Sequence, residues 1–163
     1  RSKYANLTGI IILLITFTIC VTLVNDAFIG KANITNMAPQ MVVYGIIACA
    51  LAFPQIAGST DMGIEAVGAL CGAITCMLIS PENGGVIHGS LPTWLAIVIG
   101  IVLGCLMGLV NGLFIAYTTI PPFIVTLATQ TIFRGTTYIL TNSVPISKLP
   151  ENFLNLILNN IKN

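Results

Sequence analysis

Charge is what this sequence has least of. Only 7% of its 163 residues are Asp, Glu, Lys or Arg, against roughly 25% in an ordinary soluble domain. Such a surface cannot be solvated like that of a water-soluble globule, and a net charge of +1 does not provide the basic patch that a nucleic-acid partner requires. There is a single histidine, His88, in a polar loop with no Cys, Asp or second His near it, so a solvated loop residue is expected there rather than a metal ligand. The five cysteines, Cys20, Cys49, Cys71, Cys76 and Cys105, all lie in apolar runs with no C-x-x-C spacing, and read as small packing residues. No G-x-x-x-x-G-K-[ST] loop, G-x-S-x-G elbow or H-E-x-x-H motif occurs, so the chain is expected neither to hydrolyse ATP itself nor to be an enzyme, and no cofactor or metal is expected.

What is present is hydrocarbon. The chain is 56% hydrophobic with a mean hydropathy of +0.98. Several apolar runs approach the roughly 20 residues that a helix rising about 1.5 Å per residue needs to cross a core of about 30 Å. The predicted fold is therefore all-α, a polytopic transmembrane helix bundle with about five spans and one short amphipathic C-terminal helix, forming a single transmembrane domain over 1–163. The spans are predicted near 7–23, 37–53, from just past Asp61 to Ile79, 94–116 and 123–140. Arg1 and Lys3 before the first run imitate a signal peptide, but the run exceeds a signal h-region and lacks an A-x-A-like cleavage site, so it reads as a spanning helix. In the second span Pro39 is predicted in the first turn, where a missing N–H does least harm, and Pro54 is predicted to end or kink it. The amphipathic tail places Phe153, Leu154, Ile157, Leu158 and Ile161 on one face.

Two features break the apolar pattern. Between the second and third spans, Pro54, Gly58 and Gly63 interrupt the chain, and Asp61 and Glu65 put two carboxylates there. A charged side chain at the bilayer centre costs about 2.5–3.5 kcal/mol on insertion scales, and non-helical backbone at membrane depth survives only where protein or water satisfies its amides. Such a break points to a transport pathway. For Asp61 the simpler role is capping the third helix, with Thr60 as the other candidate cap and pathway lining as the alternative; for Glu65 the two roles balance.

The second feature is a polar stripe on the fifth helix, where Thr126, Gln130 and Arg134 recur every four residues and must avoid lipid. Arg134 is read as pairing with a carboxylate or with helix-end carbonyls, and substrate contact is the alternative. Phe123 could stack on a ring of a bound solute but more simply packs. Asn111 and Asn142 are read as helix-end residues. On the fourth helix Gly100, Gly104, Gly108 and Gly112 share one face, which predicts close helix packing.

Three stretches then resemble one family. Asn33-Ile34-Thr35-Asn36 resembles a short N-x-x-N entry, and GSTDMGIEAVGAL from Gly58 to Leu70 resembles G-G-I-D-L-S-V-G-S-x-x-A-L with Asp61 on its aspartate. The run from Asn111 to Ser147 resembles N-G-x-x-(V/I)-x-x-x-x-(I/V)-x-x-F-I-x-T-L-x-x-x-x-x-x-R-G-x-x-x-x-x-(T/S)-N-x-x-P-(I/V). The chain is thus similar to the membrane permease subunit of ribose-type (monosaccharide) ABC importers, and to its N-terminal half. The resemblance implies a multi-pass protein of the bacterial inner membrane that pairs with a second permease subunit. It also implies ATP-binding subunits and an extracytoplasmic solute-binding protein as partners, with membrane lipid around them. Together they would carry a sugar or related small polar solute. A half-length chain is expected not to transport alone. The third and fifth residues of D-L-S-V-G-S lose their match: Gly63 replaces a hydroxyl, and Glu65 adds a carboxylate. From the residues alone, a secondary transporter or channel using Asp61 and Glu65 for proton or cation coupling is the alternative.

Overall fold

The computed structural model describes residues 5–150 together with 153 and 154, so the amphipathic tail expected beyond Pro150 lies almost wholly outside the described residues. Among these residues the chain is helical with no strand, in the order α1 (Ala5–Val24), a 3-10 turn (Asp26–Ile29), α2 (Lys31–Ile56), α3 (Ile64–Ile79), α4 (Thr93–Tyr117) and α5 (Pro122–Leu140). Contacts divide it into two compact units, 1–49 and 50–163, with the boundary inside α2.

In the first unit α1 is apolar on all faces. Two of its hydroxyls are satisfied internally: Thr18 Oγ1 donates to Leu14 O and Thr22 Oγ1 to Thr18 O, each at 2.8 Å, so neither presents an unpaired donor to lipid. Asn25 Oδ1 accepts the Ala27 amide at 3.0 Å and starts the short turn. The second helix begins at Lys31, earlier than the hydropathy pattern suggested. Pro39 therefore sits in its third turn and not its first, and Pro54 lies inside its last turn. The reason is local: Asn33 Nδ2 donates to Phe28 O at 2.8 Å and Thr35 Oγ1 to Lys31 O at 2.8 Å, so the polar N-I-T-N stretch is absorbed into the helix.

The second unit is built on α3, which packs against both α4 and α5 while those two touch each other much less. Ala66, Leu70 and Met77 form its buried stripe at helical spacing, facing Ala96 and Gly100 of α4 and Val125 and Thr126 of α5. A Cβ on Gly100 would sit 2.3 Å from Thr75 Oγ1, and one on Gly104 would sit 3.6 Å from Cys71 Sγ, so α3 rests against the first half of the glycine face.

The connection from α3 to α4 is tied to the end of α5. Asn83 is buried, donates to Met77 O at 3.2 Å, to Ile87 O at 2.8 Å and to Ser80 O, and accepts the Gly85 amide at 2.8 Å. The Val86 amide reaches Leu140 O at 2.8 Å. Asn142, in the left-handed region at φ 52° just past α5, donates to Gly84 O at 3.0 Å. Glu82 and Lys148 add an exposed ion pair at 3.4 Å, and His88 is exposed beside Pro81 O.

Among the described residues three helices are long and apolar enough to cross a membrane: Leu7–Val24, Lys31–Ile56 and Thr93–Tyr117. With 16 residues α3 is about 24 Å long, short of the ~30 Å core. The stripe of Thr126, Gln130 and Arg134 makes α5 too polar to face lipid all round. Both can be held only inside a bundle, as α3 is by its two neighbours.

Candidate functional site

The break between α2 and α3 is where the polar residues of the second unit converge. Asp61 Oδ1 accepts the Gly63 amide at 2.7 Å, so its carboxylate caps the turn just ahead of α3 rather than the helix itself, whose N-cap, Gly63, has no side chain to contribute. One residue earlier the Met62 amide donates to Thr126 Oγ1 at 3.2 Å. Thr126 is fully buried and passes its own proton to Phe123 O at 3.2 Å. Thus α5 supplies a hydrogen-bond acceptor for backbone that would otherwise be unpaired at membrane depth.

The depth follows from helix arithmetic. Thr126 lies four residues into α5 and Asn111 six before the end of α4, which puts the break about 6–9 Å inside the α4–α5 turn. Asn111 is not a helix-end residue. It lies within α4, 6% exposed, and its Oδ1 has no hydrogen-bond partner among the described residues. Leaving a buried acceptor unpaired costs about 1–3 kcal/mol, which marks this amide as waiting for a donor. The Asn-Gly dipeptide is a turn signal in water, and the apolar run on both sides overrides it.

A cavity of about 320 Å³ opens here, within the ~300–1,000 Å³ of small-molecule sites. Its polar lining is Ser59 and Asp61 from the break and Asn111 from α4, which also contributes Gly104, Gly108 and Gly112; the rest of the lining, Ile64 and Val67 among it, is apolar. Gly108 and Gly112 would meet nothing within 4 Å if given a Cβ, so this half of the glycine face leaves space where the other half packs. A hollow of about 390 Å³ near the end of α4 is lined by Val110, Leu113, Phe114, Tyr117 and Thr118. It is a largely apolar groove along the end of α4, whose hydroxyls come only from Tyr117 and Thr118, the latter already donating to Phe114 O.

Arg134 Nη2 donates to Glu65 Oε1 at 3.2 Å, joining α5 to the first turn of α3. Gln130 is half-buried and lines a groove with Arg134 along α5. Phe123 is exposed in the first turn of α5 and is not among the residues lining the cavity. The structure therefore brings Asp61 and Thr126 together at the break, sets Glu65 and Arg134 together one level further along, and leaves Phe123 outside. No group of three or more His, Cys, Asp or Glu side chains is placed to hold a metal among the described residues.

Residues 33–149 match the family described as branched-chain amino acid transport system / permease component. The chain belongs to this family of permeases. It is accordingly a multi-pass protein of the cell membrane, and its curated relatives are sugar permeases. It is similar to a ribose import permease protein of Bacillus subtilis (strain 168), 34% identical over 86% of this chain and 41% of the relative. A xylose transport system permease protein of Escherichia coli (strain K12) is 30% identical over 76% of this chain and 30% of its own length. A galactose/methyl galactoside import permease protein of Salmonella typhimurium is 30% identical over 89% and 45%. The chain thus spans less than half the length of these relatives. No solved structure matches it.

Proposed function

We propose that this chain forms part of the permease of an ATP-driven importer in the inner membrane, and that the cavity at the α2–α3 break lies on the route of a sugar or related small polar solute. The observation that carries this reading is the family match across residues 33–149, joined to a cavity that sets Ser59, Asp61 and Asn111 among otherwise apolar helices. ATP-binding subunits, an extracytoplasmic solute-binding protein and a second permease subunit would complete the machine, with lipid around it. The chain contributes a route and not chemistry. A secondary transporter coupled through Asp61 and Glu65 is less well supported, because each carboxylate already has a partner: the Gly63 amide for Asp61 and Arg134 for Glu65.

The test is uptake of ribose, xylose and galactose by vesicles carrying the complete transporter. Uptake that requires ATP and persists after an ionophore collapses the proton gradient is expected. Uptake that follows the proton gradient without ATP would overturn the proposal.

A further inference from the structure

We propose that Asn111 and Asp61 form a hydroxyl-binding subsite for a neutral polyol inside the α2–α3 break. This rests on the permease reading above and goes further by naming the residues and the chemistry they select. Asn111 is more than nine-tenths buried on an apolar helix, yet it caps nothing and its Oδ1 is unpaired among the described residues. It lines the cavity together with Asp61. The two converge on one point: the position of a Cβ on Gly63 is 3.3 Å from Asp61 Oδ1 and 3.5 Å from Asn111 Nδ2. The open face at Gly108 and Gly112 leaves room for a ligand beside them.

The chemistry follows from what these groups can accept and donate. A carboxylate only accepts; an amide accepts through its oxygen and donates through its nitrogen, and a half-turn about its last bond exchanges the two. A hydroxyl does both, so adjacent hydroxyls of a sugar can donate to Asp61 and to the unpaired Asn111 oxygen while accepting from the amide nitrogen. No Lys, Arg or His lines the cavity. An amino acid would therefore bring its carboxylate against Asp61 with nothing to neutralise it. A divalent metal ion would find one carboxylate and no cluster of ligands among the described residues. A neutral polyhydroxylated solute is the class that fits.

The experiment compares ATP-driven uptake of D-ribose, D-xylose and D-galactose with that of their monodeoxy analogues, using the complete transporter in vesicles. For each variant the sugar-to-analogue ratio is read, so that discrimination by the solute-binding protein cancels between wild type and variant. Asn111→Leu is expected to lower the ratio about tenfold for at least one hydroxyl, with Asn111→Gln keeping part of the preference and Asp61→Asn affecting the same hydroxyl. Thermal unfolding and assembly of each variant complex are measured alongside. Unchanged ratios in Asn111→Leu and Asp61→Asn would overturn the subsite, whatever happens to the permease reading. Should Asn111→Leu fail to assemble, Asn111→Ser and Asp61→Asn decide by the same ratio. Uptake that tracks sodium concentration and loses that dependence in both variants would also overturn it, in favour of a cation site. Absence of ATP-driven sugar uptake by the wild type is the separate failure of the permease reading, and removes the subsite with it.

Discussion

Arg134 of α5 and Glu65 of α3, 69 positions apart, meet at 3.2 Å with half or more of each side chain uncovered by the chain itself. In water such an exposed pair is worth about 0–1 kcal/mol, but a charge facing hydrocarbon costs about 2.5–3.5 kcal/mol. The uncovered sides of this pair must therefore meet water or another protein.

Removing one partner should cost more than the pair contributes. Glu65→Gln and Arg134→Gln are each expected to destabilise the folded protein by about 1–3 kcal/mol, between the exposed-pair and hydrocarbon limits. The exchange Glu65→Arg with Arg134→Glu should recover most of the loss. Thermal unfolding in detergent and lipid, compared across the four proteins, measures this. A reversed pair no more stable than either single variant would contradict it.

The Thr126 hydroxyl is the acceptor on which the break depends. Thr126→Val keeps the shape but leaves the Met62 amide unpaired, for an expected loss of about 1–3 kcal/mol. Thr126→Ser should keep most of the stability. Hydrogen exchange at residues 57–63 should quicken in the valine variant and not in the serine variant.

Glycines that look alike in the sequence should respond oppositely. A Cβ on Gly89 would lie 2.4 Å from Leu78 O and 2.6 Å from Leu78 Cα, backbone atoms that cannot step aside, so Gly89→Ala should be severely destabilising. Gly108 would meet nothing within 4 Å, so Gly108→Ala should unfold within a degree or two of wild type. Gly108→Leu, which projects into the cavity, should leave folding intact and reduce uptake at least fivefold.

Asn83 holds the α3–α4 connection through one amide. Asn83→Leu removes the donor to Met77 O and Ile87 O and the acceptor for Gly85 N, for an expected loss of about 2–4 kcal/mol from several buried groups left unpaired. Proteolysis within 80–92 should become measurable in that variant alone.

The helices and their approximate ends were legible because apolar runs and their breakers are local signals. Pro54, Pro92 and the Pro121-Pro122 pair all mark helix termini closely. The start of α2 was less legible, since Asn33 and Thr35 look like loop residues until their side chains are seen bonded to carbonyls five and four residues back. The acidic break stood out by charge alone. Asn111 did not, because an Asn-Gly pair signals a turn, and only packing of α3 against α4 shows that the helix continues and buries the amide. The split of the glycine face was likewise hidden: spacing puts four glycines on one side of α4, but the position of α3 decides which are covered.

The central claim is that the break and the open half of the glycine face enclose a water-filled part of a solute route. The most direct measurement is thiol labelling of Ser59→Cys and Gly108→Cys, each in the complete transporter with the five native cysteines replaced by serine or alanine. The account predicts reaction of both with a membrane-impermeant, water-soluble maleimide, slowed by saturating sugar. Reaction only with a lipid-soluble maleimide, unaffected by sugar, would contradict it.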